Sequence, residues 1–421
     1  MFSKIRWPAA MITATALETA CVSYAIRPPV HSIWLALIYF LSGIAIALLA
    51  LTGPELGAIR FRANTRSAPW YAFRILALLL MGIFVGWMAA SWFRQIPIDT
   101  DYADMLPVIR VMDQRFLQGH WRAVYDPIPE IWGGIRPIYL PAMWLPFSLA
   151  ELLHFDMRWI SEFGIFFAFA SFLLLLDPRK RIVASIACGL IGLVLLVWLH
   201  TEELSNLVSM TEEGVVLGYY ALLVIAILSG KTTWIALTAS LCLLSRFALS
   251  GWIPAFFLLL WLSGARKQAL SFALILGSTI LLLFILPFGW NAFARVGTLP
   301  GQYVHFAGRV WRDSPEFFSQ GPGFAQFFGV ARAALLHRWL VGLAITIPTL
   351  FAVGSWYLTR KYRIVNIPLA TLKITLVLFY SFLDIPYLYL FYTSSIVSLL
   401  LLASLLRHLP KPSAAATKAS R

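Results

Sequence analysis

Residues 32–52 read SIWLALIYFLSGIAIALLALT and contain no charged side chain. The length of this run is close to the ~20 residues that a helix needs to cross the bilayer core, so it predicts a transmembrane helix. Similar apolar runs recur along the whole chain. Since lipid cannot satisfy unpaired backbone groups, we expect these runs to be helical. The sequence therefore predicts an all-α, polytopic transmembrane protein.

The composition supports one membrane domain over residues 1–421. The chain has 421 residues, of which 60% are hydrophobic and 12% are charged. That length would give about three soluble domains, but a helix bundle of this kind is one unit. The cysteines at 21, 188 and 242 lie inside apolar runs. A disulfide framework and a cysteine-based metal site are therefore not expected.

The net charge of +14 is distributed in short loops. Such clusters are typical of the cytoplasmic loops of membrane proteins and argue against nucleic acid as a partner. The clustered basic residues are Arg60, Arg62 and Arg66; Arg179, Lys180 and Arg181; Arg266 and Lys267; Arg360, Lys361 and Arg363; and Arg407 and Lys411.

The apolar runs predict about twelve spans, with both termini in the cytoplasm. Counting from a cytoplasmic start places residues 93–157 and 288–337 in two large extracytoplasmic loops, and 200–213 in a third outer segment. The small-residue tail 411–421 is predicted to be disordered. The predicted spans are 8–26, 32–52, 70–92, 158–176, 182–199, 214–229, 232–248, 250–264, 268–287, 338–358, 366–383 and 386–406.

One apolar piece in the first large loop does not fit this count. Ile138–Leu153 is short and contains Pro141 and Pro146, which favours an interfacial or re-entrant segment. The alternative is that it crosses the membrane, which would place the basic triplet Arg179–Arg181 outside.

The first large loop carries the strongest functional signal. Residues 98–145 read IDTDYADMLPVIRVMDQRFLQGHWRAVYDPIPEIWGGIRPIYLPAMWL, in which six carboxylates alternate with arginines and aromatic residues. Such a loop is better explained by chemistry at the membrane surface than by a simple connection. Asp99, Asp101 and Asp104 follow the third predicted span, and any of them could act as a general base. The alternative is an ordinary solvated, aspartate-rich loop.

Arg246 is the main candidate for binding a phosphate, because it lies at the end of a predicted span and arginine pairs with phosphate oxygens. We expect it at the outer mouth of a lipid-facing groove and not paired with a carboxylate. The alternative is an arginine that snorkels to the surface. Arg295 and Arg309 in the second large loop are weaker candidates of the same kind, and Asp384 is expected to face the same outer cavity.

Glu18 and Lys373 are charged residues inside predicted spans. Glu18 and Lys373 are expected to face the protein interior, although Lys373 is also placed where it could reach the cytoplasmic surface. The chain contains none of the common hydrolase, nucleotide-binding or zinc motifs.

The order of features in the chain is similar to that of a known family. Asp101 and Asp104 are followed by a helix ending in Gly119, then by Tyr125-Asp126-Pro127, Tyr139-Leu140-Pro141 and Pro146-Phe147, and later by Arg246 and Pro254. This order resembles the integral-membrane GT-C glycosyltransferases that use polyprenyl-phosphate sugars, especially bacterial mannosyltransferase-like members. Arg246 stands where lysine is more usual, and Glu212-Glu213 stands near the place of a Gln/Asn pair.

The resemblance implies a GT-C type bundle that transfers a sugar from a polyprenyl-phosphate donor to an acceptor hydroxyl, with inversion. It implies a loop aspartate as the base, with Asp101 slightly favoured. It implies no cofactor and no metal, a glycan, lipid or protein acceptor, and a place in the bacterial inner membrane among its lipids. The implied phosphate-binding residues are Arg246, Arg309, Arg136 and Arg295, and the implied substrate-pocket residues are Tyr102, Tyr125, Asp126, Tyr139 and Asp384. The alternatives are a transporter or lipid flippase of an envelope-polysaccharide pathway, or a non-catalytic membrane scaffold.

Overall fold

The computed structural model describes residues 6–24, 33–56, 68–131, 133–177, 181–201, 207–316 and 321–409. Within these ranges the chain is helical and forms no β-strand, only an isolated bridge between Ile128 and Ile135. The prediction of an all-α protein is therefore confirmed. The predicted tail 411–421 and the residues Glu202 and Glu203 lie outside the described ranges.

Seven helical stretches in the described part of the chain are long and apolar enough to cross a membrane, which makes this an integral membrane protein. They are Ile33–Thr52, Ala72–Gln95, Arg158–Leu175, Ile182–Thr201, Arg266–Phe288, Val330–Leu358 and Leu388–His408. The α-helices, in chain order, are α1 (Arg6–Tyr24), α2 (Ile33–Thr52), α3 (Ala68–Gln95), α4 (Met105–Leu117), α5 (Pro141–Trp144), α6 (Ser148–Leu153), α7 (Arg158–Leu175), α8 (Ile182–Thr201), α9 (Leu207–Met210), α10 (Glu213–Ser229), α11 (Thr232–Leu243), α12 (Trp252–Leu262), α13 (Arg266–Ile280), α14 (Leu286–Phe288), α15 (Trp290–Gly297), α16 (Leu299–Asp313), α17 (Ala333–Leu358), α18 (Ile367–Ser381) and α19 (Tyr392–His408).

Helices α11 and α12 form a short hairpin. They have 12 and 11 residues, or roughly 18 and 17 Å at 1.5 Å per residue, against a bilayer core of ~30 Å. Their connecting turn packs beside the middle of α17, because a Cβ atom on Gly251 would fall on the carbonyl oxygen of Ala344. The predicted spans 232–248 and 250–264 are therefore helical, but each helix is shorter than a full crossing.

Helix α19 forms the centre of the bundle and is almost completely buried. It carries Ser394 and Ser398 next to an ion pair between Glu18 of α1 and Lys373 of α18. The Lys373 Nζ donates to Glu18 Oε1 at 2.5 Å, and both side chains are fully buried. Lys373 thus faces the protein interior, as one of the two expectations had it, and does not reach a surface.

The apolar piece Ile138–Leu153 is divided into α5, a 3-10 turn over Leu145–Phe147, and α6. It is not one continuous helix, since Pro141 begins α5 and Pro146 lies in the turn. The segment is seated on the α11–α12 hairpin, where the Ala142 N–H donates to the Leu244 carbonyl at 3.0 Å. These short pieces position the first large loop over the hairpin tip.

The two large loops pack against each other. Arg295 Nη1 donates to the carbonyl of Tyr125 at 3.2 Å. The rings of Tyr125 and Phe288 meet edge to face, with centroids 5.5 Å apart. The loops 93–157 and 288–337 are therefore in direct contact. The side of the membrane on which they lie stays a prediction.

Candidate functional site

Charged side chains from distant parts of the chain meet at the tip of the α11–α12 hairpin. Arg246 follows α11 in extended backbone (φ −157°, ψ 141°). Its Nη2 donates to Glu212 Oε1 at 3.3 Å and to Glu213 Oε2. Both carboxylates lie at the start of α10, where their side chains are 3% and 0% exposed. We call Asp104, Tyr139, Glu212, Glu213 and Arg246 the Arg246 cluster.

Helix α19, at the centre of the bundle, also contacts this cluster. Thr393 at the start of α19 donates its hydroxyl hydrogen to Glu213 Oε1 at 2.6 Å. Glu213 therefore accepts from Arg246 with one oxygen and from Thr393 with the other. In the described part of the chain, Glu212 Oε2 and Arg246 Nε have no hydrogen-bond partner. A buried polar atom without a partner is unfavourable, so these two atoms leave hydrogen-bonding capacity unused inside the cluster.

The expectation that Arg246 would be free of carboxylates at an outer groove is wrong. Its side chain is only 15% exposed and pairs with two carboxylates. The physical reason is that the short hairpin places the guanidinium inside the bundle, where an unpaired charge is costly. The sequence did contain the signal, because Glu212 and Glu213 are also charges next to a predicted span.

Asp104 is the one of the three candidate aspartates that reaches this cluster. It directly precedes α4 and its side chain forms no cap hydrogen bond to that helix. Burial raises the pKa of its carboxyl group above the ordinary value. Burial likewise raises the pKa of Tyr139 and of Glu212, and in each case the nearby charge of Asp104 adds to the increase.

Asp99 and Asp101 remain on the exposed part of the loop. Asp99 Oδ1 accepts from the Asp101 N–H at 3.1 Å and from the Thr100 hydroxyl at 3.3 Å. This is the local hydrogen bonding of a turn. Tyr102, also a candidate, is 56% exposed. Asp104 thus lies in the Arg246 cluster, whereas Asp99 and Asp101 lie on the exposed loop.

The other predicted residues fall into three places. Tyr139 lies in the Arg246 cluster, whereas Tyr125, Asp126 and Arg295 line a separate cleft of about 450 Å³. Asp384 pairs with His337 at 2.5 Å, and burial raises the pKa of its carboxyl group although the histidine opposes this. Arg136 and Arg309 are exposed and belong neither to the Arg246 cluster nor to the cleft.

Tyr387 and Tyr389, which follow Asp384 in the sequence and were not candidate site residues, complete the surroundings of the cluster. The rings of Tyr387 and Tyr389 are stacked with centroids 5.7 Å apart, and the Tyr389 hydroxyl is 3.3 Å from the sulfur of Met105. Burial raises the pKa of Tyr387 to about 12, and the charge of Asp104 contributes. These tyrosines are nearly 300 residues from Asp104, so no local pattern linked them to it.

The cleft and the Arg246 cluster are connected through Tyr125 and Tyr139. The Tyr125 hydroxyl donates to the carbonyl of Tyr139 at 3.0 Å and accepts from Trp144 Nε1 at 3.2 Å. Tyr125 faces the cleft, while the Tyr139 side chain belongs to the cluster. The cleft and the cluster are therefore adjacent and are joined by the hydrogen bond between Tyr125 and Tyr139.

No family model, no curated protein and no solved structure matches this chain. In the described ranges no group of three or more His, Cys, Asp and Glu side chains is arranged to hold a metal ion.

Proposed function

We propose that the protein is a membrane glycosyltransferase that moves a sugar from a polyprenyl-phosphate donor to an acceptor hydroxyl. Asp104 takes the proton of the acceptor hydroxyl while the hydroxyl oxygen attacks the anomeric carbon. The bond from that carbon to the phosphate oxygen breaks, and polyprenyl phosphate leaves. A single displacement of this kind inverts the anomeric centre.

The observation that carries the proposal is the position of Asp104 within the Arg246 cluster, near Glu212 and Tyr139. A general base works best when its pKa is near the working pH, and burial raises the pKa of this carboxyl group. The unpartnered Glu212 Oε2 and Arg246 Nε provide an acceptor and a donor for sugar hydroxyls. Tyrosine rings beside them provide both apolar faces and polar hydroxyls.

Arg246 has a different role in this proposal from the one that its sequence position suggests. Its charge is already balanced by two carboxylates, so we assign it to holding Glu212 and Glu213 in place. The departing phosphate then needs another cation, and we assign this role to Arg295, which lines the neighbouring cleft and donates to the Tyr125 carbonyl.

Transfer by the purified protein tests the proposal. A polyprenyl-phosphate mannose labelled in the sugar is incubated with a lipid-linked glycan acceptor, and labelled product is counted. Asp104→Asn should lower transfer by at least ~10²-fold, the lower scale for losing a general base, with unchanged thermal stability. Asp101→Asn is the matched control and should retain activity. Full turnover by the Asp104→Asn variant would contradict the assignment.

We propose further that the site faces the extracytoplasmic side of the bacterial inner membrane, with both termini in the cytoplasm. The support is the distribution of basic residues between the loops. A cysteine replacing Gln118 should react with an impermeant thiol reagent in spheroplasts, whereas one replacing Lys361 should not. Both positions are exposed. The reverse labelling pattern would contradict this orientation.

A transporter or lipid flippase is the second candidate, because Glu18 and Lys373 form a charged pair inside the bundle. Intramembrane charges are typical of transporters. Here each Glu18 oxygen accepts a hydrogen bond, from Lys373 and Ser394 or from Ser398, which favours a structural role. Movement of a labelled lipid across proteoliposomes without sugar transfer would favour this second candidate.

A further inference from the structure

The cleft next to the Arg246 cluster has the features of a binding site in its own right. It has a volume of about 450 Å³ and opens at the junction of the two large loops. We call it the arginine cleft. Its lining includes Arg122, Asp126, Gly289, Trp290, Asn291 and Arg295.

Two guanidinium groups face this cleft from different loops. Arg295 of α15 is fixed by its hydrogen bond to the Tyr125 carbonyl at 3.2 Å. Arg122 lies over Gly289, where a Cβ atom would come within 2.1 Å of Arg122 Nη1. Among the described residues of the lining, Asp126 is the one acidic side chain, so these residues give the cleft an excess of positive charge. Paired arginines of this kind suit the oxygens of a phosphate group.

The backbone at the start of α15 also favours a bound phosphate group. Helix α15 begins at Trp290 and has no side-chain cap, and its first three residues line the cleft. The first N–H groups of a helix have no partner within the helix, and its dipole is positive at that end. The helix start therefore reinforces the field of Arg122 and Arg295.

The cleft lies where an apolar helix surface ends. The 23-residue stretch Arg266–Phe288 is long and apolar enough to span the membrane and is largely unburied within the protein. Leu282 and Leu286 near its end are 60% and 57% exposed, and Trp290 follows with 63% exposed. Exposed tryptophan just beyond a span is typical of the headgroup region. A lipid lying along this surface would present its headgroup to the cleft.

We propose that the arginine cleft binds the phosphate group of a membrane lipid. Arg122 and Arg295 contact the phosphate oxygens, and the hydrocarbon chain lies along the exposed leucines of the preceding span. The phosphate can belong to a bulk phospholipid or to a polyprenyl phosphate, which share this chemistry. The inference extends the role that the proposed function gives to Arg295, but it concerns lipid binding alone and holds whether or not a sugar is transferred.

Lipid binding to the full-length protein in detergent tests the proposal. Three probes are titrated by native mass spectrometry: a polyprenyl monophosphate, phosphatidylglycerol and inorganic phosphate. The double variant Arg122→Gln with Arg295→Gln should weaken binding of at least one lipid probe by about tenfold or more, the scale of losing one or more charged hydrogen bonds. The lipid with the larger loss identifies the source of the phosphate.

Two further variants keep the test decisive if the double variant folds poorly. Asn291→Asp places a negative charge in the cleft at the second residue of α15, where an acidic residue favours the helix, and it should also weaken lipid binding. Arg309→Gln removes an exposed arginine of the same loop region outside the cleft and should have no effect.

Unchanged lipid binding in both cleft variants would overturn the proposal. An equal loss in Arg309→Gln would also overturn it, because it would indicate general surface charge. Inorganic phosphate that binds as tightly as either lipid would exclude a lipid site. Since no transfer is measured, none of these results depends on the proposed glycosyltransferase activity.

Discussion

The guanidinium of Arg246 and the carboxylate of Glu213 form an ion pair where the α11–α12 hairpin ends inside the bundle. The Glu213 side chain is completely buried, and its second oxygen accepts from Thr393 of the central helix. The pair therefore connects three elements: the hairpin, the start of α10 and the start of α19. The pair thereby holds the ends of these elements together next to Asp104 and the neighbouring tyrosines.

Removing the arginine should destabilise the protein. Arg246→Ala leaves two buried carboxylates without their cation, and breaking a buried pair in this way costs roughly 3–5 kcal/mol. Thermal unfolding of the purified protein should show a clear decrease in Tm. Adding Glu213→Gln to Arg246→Ala should recover part of the loss. Arg309→Ala, at an exposed position, is the control. An unchanged Tm in Arg246→Ala would show that the pair does not stabilise the fold.

The pH dependence of transfer should report Asp104. A general base acts in its ionised form, so the rate increases as pH rises through its pKa. Because burial raises that pKa above the ordinary 3.8, the rising limb of kcat/KM should lie at higher pH than for an exposed aspartate. Asp101→Asn should leave the limb in place, and the residual activity of Asp104→Asn should lack it. If the rising limb of kcat/KM persisted in Asp104→Asn, a residue other than Asp104 would be the general base.

Asp113 should make stability depend on pH. It is fully buried in α4 and accepts from the Ser148 hydroxyl at 2.6 Å. Burial raises the pKa of this carboxyl group to about 8, although the Ser148 hydrogen bond opposes the increase and the charge of Glu151 adds to it. The folded state therefore retains a proton that the unfolded chain releases near its ordinary pKa of 3.8.

The stability contributed by protonated Asp113 is fully present below about pH 4 and is lost as pH rises through about 8. The loss is at most about 1.4 kcal/mol per pH unit in that window. Asp113→Asn is neutral at every pH, so its Tm should decline less than that of the wild type between pH 5 and pH 9. Ser148→Ala should keep the pH dependence. Parallel pH profiles for the wild type and Asp113→Asn would refute the prediction.

The Glu18–Lys373 pair should behave as a structural element of the bundle. Lys373→Met leaves Glu18 buried without its cation, which costs roughly 3–5 kcal/mol. The double variant Glu18→Gln with Lys373→Met removes both charges and should recover much of the stability. Lys361→Met, at an exposed position, is the control. If the double variant were as unstable as Lys373→Met, the loss would not come from an uncompensated charge.

The sequence by itself determined the helices and their approximate ends. The predicted spans 32–52 and 158–176 correspond to the observed helices Ile33–Thr52 and Arg158–Leu175. This agreement has a local cause, because an apolar run in lipid must satisfy its backbone hydrogen bonds within itself. The break in Ile138–Leu153 was equally local, since proline cannot continue the hydrogen-bonding pattern of a helix.

Only the tertiary structure decided which charged residues act together. Asp99, Asp101 and Asp104 have the same side chain and nearly the same sequence surroundings, yet only Asp104 reaches the Arg246 cluster. That choice depends on the loop that places Asp104 close to Glu212 and Tyr387, which are more than 100 residues away along the chain. The carboxylate partners of Arg246 were mispredicted for the same reason. Pairing inside a bundle is determined by the depth and packing of whole helices, and a sequence pattern records the apolar length of each helix but not its neighbours.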